Sequence, residues 1–271
     1  MDKQTAPVAD AAMDAKMREI WARFQKPWIR NNLRDMLPPT PVECLGTKFI
    51  VHPRDNFTEF KMWENALPPE HEATEALAAR FAGKDVTIVD VGANAGAFFL
   101  PILNRAGKMS KALVFEPNPV MRARLLTNID LNKLAKRVTV FDCAVSDEAG
   151  QSRLHFPRNG NLGQGRVEVA YEKGTDEDGV DVALRTLPDC LKEAGITQVD
   201  FLKVDVEGLE DRVIVPLLDD ESAPRPALVY FEIAHDGVWK HPLTDRLEED
   251  GYVRIETYGQ NALFELKTPL E

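Results

Sequence analysis

The chain has 271 residues, is 44% hydrophobic and 28% charged, and carries a formal net charge of −11. That length suits one large α/β domain with a modest extension, and the apolar fraction can fill a sizeable core. The acidic balance argues against broad contact with a nucleic-acid backbone, which requires a concentrated Lys/Arg surface. Cys44, Cys143 and Cys190 are odd in number and widely spaced, so neither a disulfide framework nor a cysteine zinc site follows. No run reaches the roughly 18 apolar residues of a membrane span, and the N-terminus lacks the apolar core of a signal peptide. These absences predict a reduced, cytoplasmic protein with no nucleic-acid or membrane partner.

From Asp10 to Met36, Met13, Met17, Ile20, Trp21, Phe24, Trp28 and Leu33 recur at helical spacing. Pro27 cannot donate inside a helix, so two helices joined near Lys26 are expected. This arm could serve as a lid or a homo-oligomer contact, or simply pack on the main domain. The proline-rich stretch Leu37 to Val42 reads as a linker, which places an arm over 1–42 and the main domain over 43–271. Lys48 to Asp55 reads as a short strand and turn, and Pro69 to Ala82 as a helix stopped by Gly83.

Beyond Val86, β-branched runs alternate with helical stretches, the pattern of a parallel sheet covered on both faces. TIVDVG, ALVFEP, RVTVFDCAV, VDFLKVDVEG and PALVYFEIA are the five parallel strands. YVRIET and ALFEL, separated by a short turn with Gly259, form a closing antiparallel hairpin. Between the third and fourth strands lies a polar insertion, 151–181, whose NGNLGQG (Asn159 to Gly165) suits a mobile substrate loop.

The first strand runs into Asp90-Val91-Gly92-Ala93-Asn94-Ala95-Gly96. Glycines there let a backbone turn sharply and approach a ligand. A dinucleotide fingerprint would read G-x-G-x-x-G. This loop reads G-x-N-x-G, and Asp90 ahead of it suits an ammonium and sulfonium while repelling a pyrophosphate. Asn94 adds a donor and an acceptor for a zwitterion. The second strand ends in Glu116-Pro117-Asn118, which places an acid to accept two ribose hydroxyls. The third ends in Asp142-Cys143-Ala144, with Asp142 expected at an adenine amino group and Cys143 and Ala144 along the ring. Three acids ending three consecutive strands describe one adenosyl ligand across the sheet edge.

VDVGANAGAF (Val89 to Phe98), VFEPNP (Val114 to Pro119), CAVSDEAG (Cys143 to Gly150) and RTLPDCLKEAGITQVDFLKVDVEGLE (Arg185 to Glu210) resemble the FkbM-type methyltransferases. The resemblance implies a Rossmann-like class I methyltransferase fold with strand order 3-2-1-4-5-7-6, the last strand antiparallel. It also implies S-adenosylmethionine as cofactor and O-methylation of a sugar, polyketide or other small-molecule hydroxyl. An NAD-linked oxidoreductase and a non-catalytic S-adenosylmethionine-binding protein are the alternatives.

At the reacting end, Lys203, Asp205 and Glu207 alternate along the fourth strand and are expected on one face. A structural Lys203–Asp205 or Lys203–Glu207 pair is one reading; a catalytic cluster with Glu232 and His235 from the fifth strand is the other. Methyl transfer requires alignment of the accepting oxygen and removal of its proton. His235 or a carboxylate could act as base, or Mg²⁺ could lower the hydroxyl pKa. By similarity to some class I O-methyltransferases, Asp205 and Glu232 are the candidate metal ligands.

Overall fold

The computed structural model describes residues 8–24, 26–156, 161–167 and 179–267. The chain opens with α1 (Ala11–Arg23) and α2 (Pro27–Asp35), separated where Pro27 starts the second helix. A hairpin of β1 (Thr40–Cys44) and β2 (Thr47–Val51) follows, so the stretch read as a linker already contains a strand. Next come α3 (Phe57–Asn65), absent from the sequence reading, and α4 (His71–Arg80). Asn56 caps α3 by accepting from the Glu59 N–H at 2.9 Å.

The central sheet contains β3 (Thr87–Val91), β4 (Lys111–Phe115), β5 (Val138–Phe141), β10 (Phe201–Val204), β11 (Leu228–Glu232), β12 (Tyr252–Tyr258) and β13 (Asn261–Leu266). Its order is β12-β13-β11-β10-β3-β4-β5, with β13 antiparallel to both neighbours. Numbered along the sheet's own strands, this is 3-2-1-4-5-7-6. The architecture is the class I methyltransferase fold. Helices α5 (Phe99–Arg105), α6 (Pro119–Leu131), α7 (Leu187–Glu193), α8 (Glu210–Asp219) and α9 (Leu243–Glu249) complete the layers. One apolar cluster, with Ile88, Val114, Phe201 and Tyr230, joins the sheet to the hairpin, α4 and α5. A second, with Val89, Leu202, Phe231 and Phe264, joins the other face to α7, α8 and α9. Alternating sheet residues thus feed the two clusters, as the pleat requires.

The 151–181 insertion differs from the expected loop. β6 (Ala144–Val145), β7 (Gly150–His155), β8 (Arg166–Val167) and β9 (Gly179–Arg185) form a separate sheet in the order β6-β9-β7-β8. RVTVFDCAV is therefore two strands in two sheets, broken at Asp142-Cys143. Only one face of the small sheet is apolar, with Leu154, Val167 and Val182 packing on Ala144 and Leu209. So sparse an alternation reads as a polar loop in sequence. Asn159 and Gly160 lie outside the described residues; Asn161 to Gly165 are described and pinned. The Leu162 N–H donates to the Asp55 carbonyl at 2.8 Å, and the Phe57 N–H donates to Asn161 Oδ1 at 3.1 Å.

The arm packs in cis. Trp21 meets Phe60 and Trp63 edge-on at 5.4 and 5.6 Å, and the Trp63 indole donates to Asp14 at 2.8 Å. No helix among the described residues is long and apolar enough to cross a membrane.

Candidate active site

The tips of β3, β4 and β10 open into a cavity roofed in part by Leu162 and Gly163. Of the residues expected to bind a cofactor, Gly92, Ala93, Asn94, Glu116, Pro117, Asn118, Cys143, Ala144 and Asp205 line it. Asp90 and Gly96 stand behind the lining. Asp142 is exposed and outside it, because the chain turns from one sheet into the other at that point. Lys203 and Glu207 also line the cavity; His235 and Glu232 do not.

The turn after β3 fits too closely for any residue but glycine at position 92. Its φ is +87°, and a Cβ there would sit 2.0 Å from the Asp205 carbonyl oxygen. The contact arises because β10 is the parallel neighbour of β3, and the Asp205 N–H donates to the Val91 carbonyl at 3.0 Å. Asn94, at φ +51°, takes the left-handed conformation an Asn tolerates. Its Oδ1 accepts from Asn56 Nδ2 at 2.9 Å and from the Ala95 N–H at 2.8 Å.

Glu116 is buried at the tip of β4. Its two carboxylate oxygens accept from the Asn94 and Asn118 N–H groups, each at 2.8 Å. Burial nonetheless pushes its pKa up to about 7, against the pull of those bonds. Each oxygen keeps a lone pair that no hydrogen bond among the described residues uses. Asn118 caps α6 by accepting from the Val120 N–H at 2.9 Å, and its amide donates to the Leu162 carbonyl at 3.1 Å. One asparagine thus ties the cavity floor to the segment covering it.

Lys203 is buried on β10, with Nζ 3.0 Å from Asp205 Oδ2 and 3.9 Å from Asp90 Oδ1. Burial works against its charge, but Asp205, Asp90 and Glu70 together hold it protonated. Asp90 is 1% exposed and neither of its oxygens has a hydrogen-bond partner. Burial pushes its pKa up to about 6 despite Lys203. The expected alternation through Glu207 stops at Val204, where β10 ends. Glu207 lies in a left-handed turn with φ +58°, held by Glu210, whose Oε1 accepts from the Val206 and Gly208 N–H groups at 3.2 and 3.1 Å. That turn brings Glu207 to the cavity wall.

His235 Nε2 is 3.3 Å from Glu232 Oε2, outside the cavity. Among the described residues, no group of three or more His, Cys, Asp or Glu side chains is arranged to hold a metal ion. Asp205 pairs with Lys203 and Glu232 lies beside His235, so this arrangement lends no support to Mg²⁺ shared by Asp205 and Glu232.

Of the lining residues that the sequence did not single out, the charged one is Glu70. Glu70, at the start of α4, accepts from the Tyr230 hydroxyl at 3.1 Å and faces Lys203. Its partners are more than a hundred positions away, so no local pattern could reveal it.

Residues 90–254 match the Methyltransferase FkbM domain. The chain belongs to the FkbM methyltransferase family. It is 34% identical over 152 residues to "Methyltransferase sdnD" of Sordaria araneosa, covering 47% of this chain and 58% of that protein. It is 36% identical over 176 residues to "31-O-demethyl-FK506 methyltransferase FkbM" of Streptomyces tacrolimicus, covering 55% and 65% respectively. It is 27% identical over 187 residues to "2-O-methyltransferase NoeI" of Sinorhizobium fredii, covering 65% and 74%. The chain thus spans less than two thirds of the first two relatives' own lengths. A methyltransferase family takes the place of the dinucleotide alternative, in keeping with the missing third glycine. In this FkbM-family chain the match begins at Asp90, so Thr58 and Glu70 reach the cavity from outside the matched region.

Proposed function

We propose that this chain is an S-adenosylmethionine-dependent O-methyltransferase acting on a hydroxyl of a small molecule. The observation that carries the reading is one cavity joining Cys143 and Ala144, the buried Glu116 and the Gly92 turn to Lys203, Asp205 and Glu207. The residues fit such a cofactor. Glu116 offers lone pairs for two ribose hydroxyls, Gly92 lets the turn after β3 close against the Asp205 backbone, and the buried Asp90 carboxylate, 3.9 Å from Lys203, adds negative charge that suits a cation. Two relatives carry names that specify an oxygen as the methylated atom, which favours a hydroxyl acceptor here.

When bound, S-adenosylmethionine supplies an electrophilic methyl carbon on a sulfonium. The chain's residues orient and deprotonate. Lys203 fixes Asp205 and neutralises part of the acidic floor. Glu207, at the cavity wall, would be the group that takes the proton of the acceptor hydroxyl. Asp205 is engaged by the Lys203 ammonium at 3.0 Å and so serves to position, not to accept, the proton.

Calorimetry with S-adenosylhomocysteine is expected to give one site per chain, with Glu116→Ala weakening it at least about tenfold through the lost hydroxyl bonds. Matched acceptors carrying an alcohol or an amine should be methylated only on the alcohol. Transfer to the amine alone would sink the oxygen assignment, and absence of binding would sink the cofactor.

A further inference from the structure

Asp90, Lys203 and Tyr230 stand in one register row across β3, β10 and β11. Residues in register on adjacent parallel strands point to the same face, and α4 covers that face with Glu70. Three carboxylates, Glu70, Asp90 and Asp205, therefore surround one ammonium, Lys203. The groups facing Glu70 are Lys203 and Asp205 from β10 and the loop after it, Asp90 from β3, and the neutral Tyr230 hydroxyl from β11. Lys203 also lies 5.3 Å from the Phe98 ring centre, which stacks on Tyr230 at 5.2 Å. Phe98 lines this end of the cavity, and Lys203 and Asp90 are buried, so their charges are poorly screened.

One ammonium cannot balance three carboxylates. The excess must be met by protons or by a cation from outside. A ligand laid across the strand tips with its adenine at Cys143 and its ribose at Glu116 passes Gly92 on β3. Its remaining end then reaches β10, where Lys203, Asp205 and Glu70 line the wall.

We propose that Glu70 is the residue by which this site tells the charged methyl donor from the spent, neutral product. The inference rests on the reading of S-adenosylmethionine as donor. Transfer moves CH₃ from sulfur to oxygen, the oxygen's proton passes to the chain, and the sulfonium becomes an uncharged thioether. The donor's extra positive charge balances the excess of the Glu70, Asp90 and Asp205 cluster; the product leaves that excess exposed and is held less well. Because Coulomb attraction falls only as the inverse of distance, Glu70 needs no direct contact to act in this way. Discrimination of this kind draws on a residue outside the family-matched region.

The test is calorimetry on the full chain with S-adenosylmethionine and S-adenosylhomocysteine, comparing wild type, Glu70→Gln and Glu70→Asp. Glu70→Gln is expected to lower the preference for the methylated form about tenfold, mostly by weakening that form, the size expected of one poorly screened charge pair. Glu70→Asp should retain the preference. A merely structural Glu70 would shift both ligands together in Glu70→Gln, and that result, or no shift at all, overturns the inference. If Glu70→Gln does not fold, the wild-type ratio is followed from pH 6 to 8.5. It should rise as carboxyls in the cluster ionise, and a flat ratio overturns the inference. Wild type binding neither ligand overturns the cofactor reading and this inference together, whereas normal binding with an unaltered ratio overturns this inference alone.

Discussion

The cavity has two kinds of wall. One is the sheet edge, built from residues within a turn of a strand end: Gly92, Asn94, Glu116, Asn118, Asp205. The other is the cover, built from the Asn56 turn, Glu70 and the segment from Asn161 to Gly165, each delivered from far along the chain. The sheet edge is fixed by backbone pairing and tolerates almost no change of shape. The cover is held by side-chain hydrogen bonds and buried ion pairs, whose strength depends on each partner being present. The two walls should therefore fail differently when mutated.

The largest effect is expected on the cover's anchor. Arg124 of α6 pairs with Glu59 at 2.7 Å and Asp55 at 2.9 Å, and Glu59 is fully buried. Arg124→Ala strands that carboxylate and should cost about 3–5 kcal/mol in chemical denaturation. A cost under about 1 kcal/mol would mean the cover is held by packing alone. On the sheet edge, Gly92→Ala combines a left-handed backbone with a clash against a neighbouring carbonyl. It should cost about 3 kcal/mol and abolish cofactor binding, and retained binding would show that the edge yields more than its pairing suggests. Asn118 belongs to both walls. Asn118→Ala removes a helix cap worth about 1 kcal/mol and frees Leu162. Stopped-flow should then show faster cofactor dissociation than in the wild type.

The smallest effect is on pH dependence. Asp90 rises from its ordinary 3.8 to about 6 and Glu116 from 4.5 to about 7, both through burial. The folded protein therefore holds protons that the unfolded chain gives up. The stabilisation is fully present below about pH 4 and is lost as pH climbs through 6 and 7. The melting temperature of the ligand-free protein should fall by a few degrees, on the order of 2–4 °C, between pH 5.5 and 8. Asp90→Asn should flatten the lower part of that slope; an unchanged slope would remove Asp90 as its source.

The same division explains what could be read without coordinates. A strand, a glycine turn and a helix start announce themselves within ten residues, so the strands, Gly92 and Glu116 were legible, while the sheet order came from the family resemblance. Glu207 was assigned to the right neighbourhood for the wrong reason, since strand alternation ends before it and a left-handed turn held by Glu210 presents it. Asp142 was expected in the pocket because a strand end was assumed to stay in its sheet. Glu59, Asp55 and Arg124 resemble solvated helix charges until α3 and α6 are placed together. The insertion hid its strands because one apolar residue in two suffices for a thin sheet.

The carboxamides of α6 carry a practical consequence. Asn128 Oδ1 accepts from the Ile50 N–H at 2.9 Å while its amide donates to the Ala95 carbonyl at 2.9 Å; Asn132 takes both the Lys48 N–H and its carbonyl, at 3.1 and 2.7 Å. A helix here plays the part of a missing strand. Trimming an expression clone to the region that homology recognises would strip β2 from that helix. Its inward-facing amides would lose the backbone they were shaped for, and the shortened polypeptide should be prone to precipitation.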